Sequence, residues 1–187
     1  MDAVLLEENI KVQKGAGVGS KRNRRGLKKN KNKAKEHKLT FVGANCAGLN
    51  SKLQSFDSLV NQLNPSVIFL QETKFRKQGK ICADSLKNYQ VYQLIRKHSQ
   101  GGGMAIAAHK DLNPVWMGEG NDNIEVLAIQ ISVQEMKIRC VNAYGPQENA
   151  SIDIKDNFWK RLSHEVMEAG QTGAELILVF ERLSGRK

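Results

Sequence analysis

Glu72 is a carboxylate at the end of a predicted buried strand, where an unpaired charge is costly. Residues 67–70 (VIFL) are a run of four apolar residues, typical of a strand buried on both faces, and they lead directly into Gln71 and Glu72. A buried carboxylate without a partner would cost several kcal/mol or would give up its charge. Glu72 therefore either lies at a solvated edge of a sheet, where Lys74 could pair with it, or holds a cation.

The sequence around Glu72 predicts a βαβ unit. Strand-forming residues at 39–44 are followed by apolar residues at helical spacing over 53–63, and then by a second strand at 66–70. Asn50 and Ser51 precede the helical pattern and are candidates for its N-terminal cap. A strand, a helix and a strand in this order pack as parallel strands joined by a right-handed crossover.

This unit predicts where two polar side chains lie. Asn45 comes directly after the first strand, and Glu72 comes directly after the second. Because adjacent parallel strands end at the same edge of a sheet, we expect the two side chains to meet there. Open α/β sheets bind their ligands at that edge.

The rest of the chain predicts a mixed sheet. Short apolar or alternating runs indicate further strands at 89–95, 104–108, 124–133, 137–144 and 176–180, and an amphipathic helix is predicted over 152–169. The short connections in the middle of the chain imply antiparallel pairing. The predicted fold class is α/β, with two sheets packed together and helices outside.

The positive charge belongs to one segment. The chain has a formal net charge of +10; residues 1–10 contribute −3, residues 11–38 contribute +11, and the other 149 residues contribute +2. We therefore predict a disordered, polybasic arm over residues 1–38, separate from a folded domain over 39–187. Such an arm binds DNA or another nucleic acid through phosphates, or serves as a solubilising or nuclear-import tail. The candidate nucleic-acid-binding residues are Lys21, Arg22, Arg24, Arg25, Lys28 and Lys29.

Three features bear on the compartment. The three cysteines are widely spaced and odd in number, so no disulfide partner is expected and a reducing compartment is favoured. The first ten residues carry acids on both sides of a short apolar run, unlike a signal peptide, and no apolar run reaches membrane-spanning length. We expect an intracellular protein, nuclear in location, without a membrane partner.

Three motifs occur in a specific order along the chain. They are GANCAGL at 43–49, IFLQET at 68–73 and VNAYGP at 141–146, with GGGMAI at 101–106 between the last two. This set resembles the endonuclease/exonuclease/phosphatase superfamily, and within it the apurinic/apyrimidinic-endonuclease-like domain of non-LTR retrotransposons. The resemblance covers residues 39–180 and implies a metal-dependent endonuclease that cleaves phosphodiester bonds in DNA.

The resemblance also implies roles for three residues. Glu72 is the expected carboxylate ligand of Mg²⁺, with Mn²⁺ as an alternative ion. Asn45 is expected to help hold the metal or the scissile phosphate, and Tyr144 to donate a hydrogen bond to a phosphate oxygen. In such a site the ion stabilises the negative charge of the transition state while a positioned base activates water.

The chain departs from the family pattern at two places. Ala47 stands where many members of the family have Asp or Asn. After the last strand the chain reads FERL at 180–183, where the family has Gly-Asp-Phe/Leu-Asn; Glu181 takes the position of the Asp, but Leu183 has no donor or acceptor. A Ser-Asp-His element has no counterpart. We therefore expect a C-terminally truncated copy whose second half is incomplete and whose activity is impaired.

Three functions stay open on the sequence alone. The first is an impaired DNA endonuclease acting through Asn45, Glu72 and Tyr144. The second is a non-catalytic nucleic-acid-binding protein acting through its basic arm, with low sequence specificity because no aromatic residues are interleaved with the charges. The third is a fragment without a selected role.

Overall fold

The computed structural model describes residues 2–11, 36–75, 81, 83–96, 102–118, 124–174 and 176–182. The helices are α1 (Leu53–Leu63) and α2 (Ile152–Gln171). The strands are β1 (Asp2–Lys11), β2 (Glu36–Asn45), β3 (Val67–Gln71), β4 (Tyr89–Leu94), β5 (Met104–His109), β6 (Val115–Trp116), β7 (Val126–Val133), β8 (Met136–Tyr144) and β9 (Leu176–Arg182).

The strands form two sheets. Sheet A has the order β1-β2-β3-β5-β4, in which β2 and β3 are parallel and the other neighbours are antiparallel. Sheet B has the order β6-β7-β8-β9, with β8 parallel to β9 and the other pairs antiparallel. The predicted mixed α/β fold, with its parallel βαβ unit and its antiparallel middle section, is therefore confirmed.

Apolar side chains from both sheets form the core between them. Every residue of β3 is buried, and alternate residues of the strand face opposite sides of the sheet. One side of sheet A packs against sheet B through large apolar residues such as Phe41, Phe69, Ile106, Ile129 and Ile138. The other side of sheet A is covered by α1, and the outer side of sheet B is covered by α2.

Helix α1 begins differently from the prediction. Residues Asn50–Lys52 form a short 3₁₀ turn, and no side chain caps the helix behind it. The hydroxyl of Ser51 instead donates a hydrogen bond back to the carbonyl of Gly48 at 3.1 Å. The predicted cap at Asn50 and Ser51 is therefore wrong, although the helix itself is confirmed.

The predicted arm over residues 1–38 is wrong for the two ends that the structure describes. Residues 2–11 form β1, which pairs antiparallel with all ten residues of β2, and β2 already begins at Glu36. Backbone hydrogen bonding to β2 places this acidic, apolar segment on the edge of sheet A. The six candidate nucleic-acid-binding residues lie between the two strands, outside the described residues.

Helix α2 is amphipathic: Phe158, Leu162 and Ala169 are buried, and the first two pack against sheet B. Its N-terminus is capped by the Ser151 hydroxyl, which accepts a hydrogen bond from the N–H of Ile154 at 3.4 Å. Neither α1 nor α2, nor any other helix among the described residues, has the length and apolar composition needed to cross a membrane.

Candidate active site

Parallel pairing of β2 and β3 brings Asn45 and Glu72 to the same edge of sheet A. Asn45 is the last residue of β2 and is in register with Gln71, the residue before Glu72. The pairing continues past the strands, because the N–H of Cys46 donates to the carbonyl of Gln71 at 2.8 Å and the N–H of Gly48 donates to the carbonyl of Glu72 at 2.8 Å. The two segments therefore leave the sheet side by side.

The backbone at this edge is strained. Glu72 has a φ of +51°, and Ala47 and Lys74 have φ values of +47° and +56°, all in the left-handed region that non-glycine residues seldom adopt. Such a conformation costs on the order of 1–3 kcal/mol per residue and persists only where the surroundings impose it. Three of them at one edge of a sheet are typical of a functional site.

A glycine turn imposes the conformation after Glu72. The N–H groups of Thr73 and Lys74 donate to the carbonyls of Gly103 and Gly102, at 3.0 and 2.9 Å. Gly103 has a φ of +78°, and a Cβ atom there would lie 3.0 Å from the hydroxyl oxygen of Thr73, so a larger residue does not fit without a shift. The turn at Gly102 and Gly103 thus holds the segment that carries Glu72.

One carboxylate oxygen of Glu72 accepts hydrogen bonds from both Asn45 and Tyr144. The Nδ2 atom of Asn45 donates to Oε1 of Glu72 at 2.7 Å, and the hydroxyl of Tyr144 donates to the same oxygen at 2.8 Å. Glu72 comes from sheet A and Tyr144 from the end of β8 in sheet B, so the site joins the two sheets. The structure therefore brings together the three residues that the sequence singled out as catalytic.

This geometry answers how a carboxylate can follow a buried strand. Asn45 is 8% exposed, whereas Glu72 and Tyr144 are half-buried, so the carboxylate lies where the interior of the sandwich meets solvent. Hydrogen bonds from the side chains of Asn45 and Tyr144 stabilise the carboxylate there. A carboxylate held at such an edge is suited to bind a cation.

The donor set fits a hard divalent cation such as Mg²⁺. A carboxylate offers roughly four lone-pair positions on two oxygens, and Asn45 and Tyr144 both donate to Oε1 of Glu72. Mg²⁺ usually binds few protein oxygens and keeps several waters. The oxygen of Asn45 accepts a hydrogen bond from the N–H of Ala47 at 3.0 Å. In this arrangement Asn45 orients Glu72, and its role as a direct metal ligand stays a prediction.

A second acid near the site was missed by the sequence reasoning. Glu125 is 3% exposed; its Oε2 atom lies 2.5 Å from Nη2 of Arg96, and its Oε1 atom accepts from the N–H of Gly103 at 2.6 Å. Its carbonyl accepts from the N–H of Tyr144 at 2.9 Å. Glu125 thus supports both the glycine turn and the end of β8. The one available signal was an acid within an otherwise apolar stretch beside Val126.

The surroundings of Glu125 shift its ionisation. Burial raises the pKa of Glu125, the Arg96 guanidinium and the hydrogen bond from Gly103 lower it, and the negative charge of Glu72 raises it further. Burial is the largest of these influences, so the net pKa is raised. The effect of the Glu72 charge on Glu125 means that the two carboxyl groups are close enough to interact electrostatically.

A concavity of about 950 Å³ lies elsewhere on the molecule. It is lined by residues of β4 and by neighbouring residues, including Tyr92, Trp116, Asp57 and Lys110, and none of the three convergent residues borders it. Tyr92 and Trp116 are already in contact, with ring centroids 5.6 Å apart. None of the described residues that line this groove has the left-handed backbone conformation found at Glu72.

Several solved structures share the fold of this chain. An AP endonuclease from Leishmania major matches with a TM-score of 0.50 and 16% identity, over 68% of this chain and 46% of that one. A 3′-5′ exonuclease from Neisseria meningitidis matches with a TM-score of 0.53 and 18% identity, over 74% of this chain and 56% of that one. A Neisseria 3′ phosphatase structure bound to a product DNA hairpin matches with a TM-score of 0.52 and 19% identity, over the same shares, 74% and 56%.

These matches show a shared fold. The chain spans about half the length of the solved structures that it matches. No protein-family model and no curated protein sequence matches the chain. The two-sheet sandwich with outer helices is thus the fold of AP endonucleases and related nucleases, as the sequence resemblance implied.

Proposed function

We propose that this chain is a metal-dependent phosphodiesterase domain of the DNA endonuclease type, derived from a non-LTR retrotransposon and acting in the nucleus. The observation that supports it most directly is the convergence of Asn45 and Tyr144 on the carboxylate of Glu72 at the shared edge of two strands. The fold, which occurs in an AP endonuclease and in a phosphatase bound to a DNA hairpin, supports DNA as the substrate.

Each of the three residues has a distinct task in this proposal. Glu72 holds Mg²⁺, which supplies stabilisation of the negative charge that develops on the phosphate. Asn45 fixes the orientation of the Glu72 carboxylate through its Nδ2 atom. The hydroxyl of Tyr144 lies beside the same carboxylate and is placed to donate to a phosphate oxygen once DNA is bound.

We also propose that the activity is weak. Ala47, which is exposed and lies beside Asn45, contributes no oxygen ligand where the family pattern has Asp or Asn. The backbone of Glu181 is in register with Ala143 on the neighbouring strand, next to Tyr144, and Leu183 replaces the expected Asn after it. A site with fewer oxygen ligands, whether neutral amides or charged carboxylates, binds the ion more weakly.

A plasmid-nicking assay tests the proposal. Supercoiled plasmid is incubated with excess protein and Mg²⁺, with EDTA as the blank, and the open-circular product is measured over hours. We expect slow, Mg²⁺-dependent nicking that is lost in Glu72→Ala and retained in Glu135→Ala, a matched change at an exposed glutamate in the β7–β8 turn. Equal rates for the wild-type protein and Glu72→Ala would exclude catalysis through this site.

Binding of nucleic acid through the basic segment is a second candidate function. The charge of +11 on residues 11–38 favours it. Because β1 and β2 lie on either side of this segment, deleting residues 1–38 would also remove a strand; substitution to Gln is the cleaner change. The positions to substitute are Lys21, Arg22, Arg24, Arg25, Lys28 and Lys29.

The salt dependence of binding measures this function. In the logarithmic plot of affinity against salt concentration, the slope should become less steep by roughly 0.9 for each phosphate contact that is removed. The readout is fluorescence anisotropy of a labelled duplex between low and moderate salt. If the variant with all six substitutions kept the affinity and the slope of the wild-type protein, a binding role for these side chains would be ruled out.

A further inference from the structure

Two buried amide side chains lie between the sheets, directly behind the candidate site. Gln71, the last residue of β3, and Asn142 of β8 are both 0% exposed. They lie beside the apolar cluster that fills the space between the sheets, which includes Phe69 and Ile129. A pair of polar side chains in such a core is costly unless it is hydrogen-bonded, so its presence calls for an explanation.

Hydrogen bonds run across the interface in both directions. The Nε2 atom of Gln71 donates to Oδ1 of Asn142 at 3.1 Å and to the carbonyl of Ala143 at 2.9 Å. The Nδ2 atom of Asn142 donates to the carbonyls of Leu70 and Ala105, both at 3.0 Å. Since backbone carbonyls only accept hydrogen bonds, these contacts fix which end of each amide is the nitrogen.

The directions of these bonds restrict how the two sheets can move. Apolar contacts are non-directional, so the large residues of the core allow one sheet to slide slightly over the other. The four amide hydrogen bonds keep their strength only within narrow limits of distance and angle. They therefore fix the relative position of the sheets at one end of the sandwich.

That end is the one that carries the candidate site. Gln71 directly precedes Glu72 in sheet A, and Asn142 lies two residues before Tyr144 in sheet B. The hydrogen bond from Tyr144 to Glu72, at 2.8 Å, also crosses between the sheets. Any sliding at this end would separate the Tyr144 hydroxyl from the carboxylate.

We propose that Gln71 and Asn142 are positioning residues that hold the Tyr144 hydroxyl of one sheet against the Glu72 carboxylate of the other. Their effect on DNA cleavage rests on the proposed function. Their effect on the contact between Tyr144 and Glu72 does not, because that contact is present without metal or DNA. A test in the absence of both therefore separates the failure of this inference from the failure of the nuclease proposal.

The three tyrosines of the chain provide a selective readout. The hydroxyl of Tyr89 donates to the carbonyl of Pro65 at 2.5 Å, and that of Tyr92 donates to the carbonyl of Pro114 at 2.6 Å. Only Tyr144 donates to Glu72 among them. Protein labelled with ¹³C at the ring carbon that carries the hydroxyl gives one NMR signal per tyrosine, sensitive to its hydrogen bond.

The experiment compares Gln71→Met with two reference variants in metal-free buffer. Met fills a similar volume but cannot donate to Asn142 or to Ala143. Glu72→Ala defines the signal of Tyr144 without its acceptor, and Gln130→Met is the matched change at a half-buried glutamine of β7. We expect Gln71→Met to shift the Tyr144 signal in the direction seen in Glu72→Ala, with the other two signals unchanged, and Gln130→Met to shift none.

Two results would overturn the inference. One is an unchanged Tyr144 signal in folded Gln71→Met, and the other is a common shift of all three tyrosines, which would indicate a general structural role. If Gln71→Met does not fold, Gln71→Asn retains the amide while shortening its reach. The same selective shift of the Tyr144 signal is expected there, and its absence would contradict the proposal.

Discussion

Glu72 and Glu165 are two carboxylates of the same sandwich with opposite surroundings. Glu72 is half-buried at the edge of sheet A, and its donors Asn45 and Tyr144 are uncharged. Glu165, on α2, is 0% exposed and lies between two guanidinium groups, 3.2 Å from Nη1 of Arg139 and 2.5 Å from Nη2 of Arg161. The described donors to Glu72 carry no charge, whereas the guanidinium groups at Glu165 place two positive charges beside a carboxylate inside the fold.

The difference shows that a buried acid is not by itself a functional signal. Burial raises the pKa of Glu165, and the charges of Arg161 and Arg139 lower it. His164, Glu165 and Glu168 have potential ligand atoms within 4.8 Å of one another, yet the oxygens of Glu165 already face the two arginines. Backbone strain also distinguishes the two sites, because Glu72 has a left-handed φ whereas Glu165 and Glu168 do not.

The largest effect on stability is expected at Glu165. Removing Glu165 leaves Arg139, itself 0% exposed, as a buried charge without its carboxylate. Glu165→Ala should therefore lower the free energy of unfolding by about 3–5 kcal/mol. Urea denaturation measures the loss, with Glu168→Ala on the same helix as the control. A loss no larger than that of the control would show that α2 does not depend on this ion pair.

Adding a charge at the Glu72 site should strengthen its affinity for cations. Ala47 has a φ of +47°, which Asp and Asn adopt more readily than Ala, and it is exposed beside Asn45. We expect Ala47→Asp to tighten Mn²⁺ binding by on the order of tenfold, because divalent-ion affinity follows the charge of the ligands. Ala47→Asn relieves the same strain without adding charge. Equal affinities for the two variants, measured by calorimetry, would contradict a cation site here.

Each region also contains a cysteine that reports local opening. Burial raises the pKa of Cys46, beside the Glu72 segment, to about 11, and that of Cys140, next to Arg139, to about 12. Both thiols are 0% exposed and should react slowly with iodoacetamide at mildly alkaline pH, with Cys46 the faster of the two because its pKa is raised less. Mass spectrometry of timed samples measures the two rates. A faster reaction at Cys140 would show that the region around Cys140, and not the one around Cys46, opens more readily.

The smallest effect is a pH dependence at Glu125. Its pKa in the folded protein is raised above the ordinary value of 4.5, chiefly by burial, so the folded state binds more protons than the unfolded state. Stability from this group is present below that value and is lost as pH rises through the folded pKa. Stability should therefore fall less with rising pH in Glu125→Gln than in the wild-type protein or in Glu135→Gln. Parallel pH profiles of melting temperature would contradict this.

The sequence predicted those parts of the site that depend on the order of neighbouring strands and helices along the chain. The βαβ pattern was enough to place Asn45 and Glu72 at one edge, because parallel neighbours end together. Tyr144 entered only through the family resemblance, since nothing local shows which strand of sheet B reaches Glu72. The sequence shows a polar residue, Gln71, at the end of a buried strand. It does not show that the hydrogen-bond partner is Asn142, which lies 71 residues away.

Long-range pairing also explains the missed elements. Residues 2–11 do not alternate in polarity, and their strand depends on pairing with β2 rather than on their own pattern. Glu125 is held by Arg96 and Gly103, two residues from a separate part of the chain. In both cases the stabilising partner is distant in sequence, and no local periodicity reveals it.

Manganese binding measured by electron paramagnetic resonance tests the central claim most directly. The signal of free Mn²⁺ falls as the ion binds, independently of any catalysis, and Gln at position 72 keeps the shape of the side chain without its charge. We predict that the protein binds Mn²⁺, that Glu72→Gln weakens the affinity by at least about tenfold, and that Glu165→Gln leaves it unchanged. Equal affinity in the wild-type protein and Glu72→Gln would contradict a metal site at this edge of the sheet.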